Sequence, residues 1–167
     1  RAEGCNNWII SELGLLYAGA ISVPLSIKLE EANDLTFRLK HSDAKLVFVS
    51  NHQLKKIRNI IAELPELKHI VVWGDVDGGL RDGELSLADV EARGADYLSA
   101  NRKSFVAIGE SIQNDDIATI TYTSGTTADP KGVILTHRNY TANVEQALTR
   151  ISIPSDYTMF IILPLDH

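Results

Sequence analysis

Thr123, Ser124, Gly125, Thr126, Thr127 and Lys131 fall within a stretch of nine residues. Short hydroxyl side chains and a glycine let backbone N–H and side-chain O–H donors converge on one point. A lysine beside them adds a compact positive charge, and together these groups suit a phosphate chain. The spacing is not that of a P-loop NTPase. Counting from Gly125, the second glycine of that motif falls on Pro130, and the Ser or Thr expected after Lys131 is Gly132. The same residue types also make an ordinary polar hairpin loop, since Ser, Thr, Gly, Asp and Pro are common turn residues.

The elements that must hold this loop are readable around it. Residues 117–122 (IATITY) and 132–135 (GVIL) are apolar enough to be strands, and a helix is expected from His137 to about Arg150. Further upstream, residues 45–50 (KLVFVS) and 69–73 (HIVVW) are continuous apolar runs of the kind covered on both faces of a parallel sheet. Between them Leu54, Ile57, Ile61 and Leu64 recur at helical spacing, with Lys55, Lys56 and Arg58 on the wet side and Ser50 or Asn51 as candidate caps. A helix over 30–40 opens on Glu30 and Glu31, acidic residues suited to the positive helix end. Residues 6–20 read as a helix apolar nearly all round, hence buried, followed by a short strand at 21–25. Ser86 and Asp89 form a capping box for a short helix that Gly94 closes, and residues 95–116 show no clear period. Alternating strands and helices predict an α/β fold, a mainly parallel sheet with flanking helices.

The string Tyr122-Thr123-Ser124-Gly125-Thr126-Thr127-Ala128-Asp129-Pro130-Lys131-Gly132-Val133 resembles the signature loop of the adenylate-forming superfamily. That superfamily includes acyl-CoA synthetases, firefly luciferase and the adenylation domains of peptide synthetases. The resemblance continues through Thr136-His137-Arg138-Asn139. Upstream, Tyr17-Ala18-Gly19-Ala20 and Val23-Pro24-Leu25 are similar to an early segment of the family. Downstream, Leu163-Pro164-Leu165-Asp166-His167 is similar to an element of fatty acyl-CoA synthetases. Most members carry glycine where this chain has Ala128. If that position needs a positive φ, alanine costs roughly 1 kcal/mol or more.

The resemblance implies a two-step reaction. ATP and a carboxylic acid give an acyl-adenylate and pyrophosphate, and coenzyme A then displaces AMP. Thr123, Ser124, Gly125, Thr126, Thr127 and Lys131 would embrace the β- and γ-phosphates. Thr123 would also help hold Mg²⁺, and His167 would line the acyl pocket near the reacting carboxylate. The ending LPLDH favours a long-chain fatty acid over an aryl or amino acid, with contact to a membrane surface through the lipid substrate. The family's adenine, ribose and C-terminal lysine elements are not among these 167 residues. The resemblance thus implies an incomplete N-terminal AMP-binding domain spanning 1–167, without its C-terminal domain and inactive by itself. A non-catalytic remnant is the competing reading.

Composition narrows the remaining classes. Apolar residues make up 44% and charged residues 23%, ordinary for a folded domain. The net charge of −6 provides no basic field for nucleic acid. One cysteine, Cys5, excludes an internal disulfide framework and reads as a small core residue. His41, His52, His69, His137 and His167 show no metal-ligand spacing. The Asp75-Val76-Asp77 run fails as a calcium loop, because Leu80 stands where the turn glycine belongs. No basic segment followed by an apolar run opens the chain. The longest apolar stretch, residues 13–25, is too short to span a bilayer, so a cytoplasmic protein is expected.

Overall fold

The computed structural model describes residues 6–123, 130–152, 154 and 156. Five helices and five strands follow one another as α1 (Asn6–Tyr17), α2 (Ala32–His41), β1 (Leu46–Ser50), α3 (Leu54–Ile60), β2 (His69–Trp73), β3 (Glu84–Ser86), α4 (Leu87–Ser111), β4 (Ile117–Thr123), β5 (Lys131–Thr136) and α5 (His137–Leu148). β1, β2 and β3 form a parallel sheet in that order, with Leu46 opposite His69 and Ile70 opposite Glu84. β4 and β5 form an antiparallel pair, and Ser22 adds one parallel bridge to Thr119 on the other edge of β4. The expected α/β class with a parallel sheet and flanking helices is the one observed.

Alternation along β2 sends Ile70 and Val72 to one face and Val71 and Trp73 to the other, and all four are buried. On the first face they join Leu35 and Leu39 of α2, Val49 of β1, Leu54, Ile57 and Ile60 of α3, and Leu64. On the other face the Trp73 ring stacks on Phe48 at 6.5 Å, and α4 lies in contact with β2 and β3. β2 is central and buried along nearly its whole length. β1 is an edge strand, so Leu46 is exposed and only Val49 and Ser50 are buried, less cover than the apolar run suggests.

Several local expectations need correction. Ile60 is buried and Ile61 is 38% exposed, the reverse of the periodic reading. The backbone at Ile60 (φ −111°, ψ −1°) leaves α geometry and a 3-10 turn, Ile61–Glu63, follows, so the 3.6-residue period ends there. Gly94 does not close a helix: α4 runs through it to Ser111 and bends at Asn101, whose φ and ψ are −129° and 26°. Its start is as expected, with Ser86 Oγ accepting from the Asp89 N–H at 3.0 Å. α3 starts after Gln53, and the Asn51 amide donates instead to the Asp75 carbonyl at 2.8 Å. Residues 21–25 make only the Ser22 bridge, not a strand. On α1, Ile9, Ile10, Leu13 and Tyr17 are exposed and Ser11 is buried. A helix apolar all round needs neighbours all round, and none of the described elements covers that face. No helix among the described residues is long and apolar enough to cross a membrane.

Two of the three cations assigned to the wet side of α3 are structural. Lys56 Nζ donates to the carbonyls of Ile27 and Leu29 and to Glu30, each at 3.0 Å. Arg58 forms a two-point pair with Glu84 at 2.8 and 2.7 Å, and the Glu84 side chain is only 3% exposed. This pair ties α3 to the otherwise minimal strand β3. The Arg58 guanidinium, aided by the Arg81 N–H, holds the Glu84 carboxyl below the ordinary glutamate value of 4.5 against the opposing effect of burial. A lowered folded value means the carboxylate stabilises the fold above about pH 4.5 and that contribution is lost as pH falls through the folded value. Acid titration of wild type and Glu84→Gln, followed by circular dichroism, should show a shallower loss of stability below pH 4.5 in the variant. Identical acid limbs would refute the assignment.

Candidate functional site

β4 and β5 meet in register over five consecutive pairs, ending with Tyr122 opposite Gly132 and Thr123 opposite Lys131. The last pair sits at the mouth of the connection that holds residues 124–130. Directly opposed residues of an antiparallel pair carry Cβ atoms about 5 Å apart on the same face. Thr123 and Lys131 therefore project together, and both are exposed. Among the described residues no core packing engages them, so a hydroxyl and an ammonium can face a ligand at the loop.

The frame behind this mouth is rigid for identifiable reasons. Ala118 is fully buried and Thr119 is 2% exposed. Ser22 exchanges backbone hydrogen bonds with the Ala118 carbonyl and the Ile120 N–H, both at 2.9 Å, so β4 is paired on both edges there. Thr119 Oγ1 shares a 2.8 Å hydrogen bond with the Tyr140 hydroxyl, joining β4 to α5. The Thr136-His137-Arg138-Asn139 string is used structurally. Asn139 Oδ1 accepts from the Thr136 N–H at 2.8 Å and from its hydroxyl at 3.0 Å, capping α5. Arg138 forks onto Asp115 at 2.7 and 3.1 Å and holds that carboxyl below its usual range. β5 therefore passes into α5 through a fixed corner.

Of the expected site residues, the structure brings together Thr123 and Lys131. Ser124, Gly125, Thr126, Thr127 and His167 lie outside the described residues, as do Cys5, Ala128 and the segment 163–167. His52 and His69 are exposed, and His41 bonds to Tyr122. No group of three His, Cys, Asp or Glu side chains suited to a metal occurs among the described residues. Thr123 offers a single hard oxygen, which fits a Mg²⁺ whose remaining ligands are phosphate oxygens and water. Tyr122 is the contributor that residue spacing did not single out: its neighbours in the fold are far away in the sequence.

The family model described as AMP-binding enzyme matches residues 2–167. The chain is 27% identical over 175 residues to a chloroplastic long-chain-fatty-acid–[acyl-carrier-protein] ligase of Arabidopsis thaliana, covering 99% of the chain and 24% of that protein. It is 32% identical over 161 residues to the peroxisomal long chain acyl-CoA synthetase 7 of the same plant, covering 96% of the chain and 23% of the relative. The chain thus spans about a quarter of the length of the curated relatives it matches. Among solved structures, an anthranilate CoA ligase in complex with anthranoyl-AMP superposes with a TM-score of 0.63 at 27% identity, over 83% of this chain and 24% of that one.

Proposed function

Since this chain belongs to the AMP-binding enzyme family, we propose that the full-length protein carrying it is an ATP-dependent acid–thiol ligase, with a long-chain fatty acid as the acid and coenzyme A as the thiol. The observation that carries this reading is the pairing of Thr123 with Lys131 at the mouth of the hydroxyl-rich loop. In the first step a carboxylate oxygen attacks the α-phosphorus of ATP, and the bond to pyrophosphate breaks. One anion attacks another, so positioning and charge neutralisation are the main demands on the protein.

Lys131 would hold the β- and γ-phosphates as a point charge, with the hydroxyls and N–H groups of 123–127 completing the grip. Thr123 Oγ1 would be one ligand of Mg²⁺, which when bound withdraws charge from the same phosphates. His167 would line the acyl pocket. One plant relative is named as a long-chain-fatty-acid ligase and the other as a long chain acyl-CoA synthetase, which supports that acid class. A second reading, an aryl acid, is favoured by the anthranilate ligase. A cytosolic location belongs to the proposal as well.

Acid-dependent ATP–pyrophosphate exchange by the full-length protein tests the proposal, with palmitate, anthranilate and a free amino acid offered in parallel. Exchange with palmitate and Mg²⁺, followed by thioester formation on adding coenzyme A, is expected. Exchange with anthranilate alone would replace the first reading by the second. No exchange with any acid would overturn both.

A further inference from the structure

We propose that the C-terminal half of α2 clamps the hairpin from behind, with Tyr122 and His41 acting as positioning residues for the phosphate loop; this rests on the function proposed above. Neighbours on a strand point to opposite faces, so Tyr122 faces away from the side on which Thr123 and Lys131 project. Its ring lies against the backbone of Gly132, directly across the ladder. A Cβ on Gly132 would stand 2.9 Å from Ile120 Cγ2, too close without a shift, and 3.6 Å from Tyr122 Cε1, an ordinary contact. The glycine after Lys131 thus has a physical reason: it makes room for the Ile120 methyl, with the Tyr122 ring packed beside it.

The grip on Tyr122 comes from one helix. Its hydroxyl shares a 2.7 Å hydrogen bond with His41 Nδ1, and the two rings meet edge-on at 5.8 Å. Phe37 stacks on the His41 ring at 5.3 Å, which fixes the imidazole. Arg38 lies 5.7 Å from the centre of the Tyr122 ring and is itself held by the Asp34 carbonyl at 2.9 Å. Burial pushes the phenol above its ordinary value, so the hydroxyl stays protonated at neutral pH. On its other side α2 inserts Leu35 and Leu39 into the core of the parallel sheet. A continuous path of packed groups therefore runs from that core through α2 and Tyr122 to Thr123, the first residue of the phosphate grip.

A donor displaced by about 1 Å can cost ~10²-fold in rate, so a clamp one residue from the loop should be visible in turnover. In the full-length protein, Tyr122→Phe and His41→Leu should each lower kcat for ATP–pyrophosphate exchange about tenfold. The KM for the carboxylic acid should not move. The double variant should be no worse than Tyr122→Phe alone, which already removes the bond to His41 together with the longer one to the Arg38 carbonyl. His41→Asn, whose amide stands where Nδ1 stands, should recover most of the loss. Unchanged kcat in both single variants, additive losses, or losses that follow melting temperature across the set would each overturn the clamp. Exchange abolished by Lys131→Ala but untouched by Tyr122→Phe and His41→Leu would remove the clamp alone. Absence of exchange in the wild type would remove the functional reading and the clamp with it.

Discussion

Replacing Lys131 with alanine is expected to slow acid-dependent ATP–pyrophosphate exchange by about 10²–10³-fold, equivalent to about 3–4 kcal/mol of transition-state stabilisation, with folding nearly unchanged. The rate effect follows from the phosphate-holding role proposed for the lysine. As pyrophosphate leaves, negative charge accumulates on its oxygens, and a fixed ammonium stabilises that charge more than it stabilises bound ATP. The small folding effect follows from where the lysine stands. It is exposed at the first position of β5, opposite Thr123, and exposed substitutions away from caps and cores usually change stability by no more than about 0.5 kcal/mol. Steady-state exchange and thermal melts of the same preparation separate the two effects. An unchanged exchange rate with a lowered melting temperature would mean that the loop is a structural hairpin.

Leu54→Ala should be the most damaging single truncation in the parallel-sheet layer. Leu54 is 2% exposed at the start of α3 and shares a cluster with Leu35, Leu39, Ile57 and Val72. Removing its isobutyl group loses the transfer free energy and leaves a cavity, about 2–5 kcal/mol for a buried leucine. The partner truncation Ile61→Ala removes a similar volume from a residue 38% exposed and should cost under about 1 kcal/mol. Urea unfolding of the two variants, with hydrogen exchange of the β1 and β2 amides, tests the contrast. Equal losses would mean that the 3-10 turn does not rotate Ile61 out of the core. Because α2 shares this cluster and holds Tyr122, Leu54→Ala should also loosen the hairpin at temperatures where the rest of the fold persists.

The chemistry proposed for segment 122–133 rests on residue type, because phosphate binding needs hydroxyls, glycine and a cation close together along the chain. The strands flanking it were legible for a similar reason, since apolar runs bounded by turn residues are a local signal. The long helix α4 was not legible. Gly94 and the mixed polarity of 95–111 carry no clear apolar period, and no residue of α4 is buried. Strand β3 escaped as well, being three residues long and held by a buried ion pair whose members are 26 positions apart.

Sequence alone thus determined the α/β class, the strand–loop–strand frame of the candidate site and the residue types gathered in it. These depend on neighbours along the chain, where periodicity and turn chemistry act directly. Tertiary structure alone decided that Thr123 and Lys131 share one ladder position, and that Arg58 leaves the solvent for Glu84. It also decided that Tyr122, His41 and Gly132 form one unit behind the loop. Tyr122 and His41 stand 81 residues apart. No local pattern encodes such a meeting, because it exists only when the fold sets the end of α2 against the hairpin.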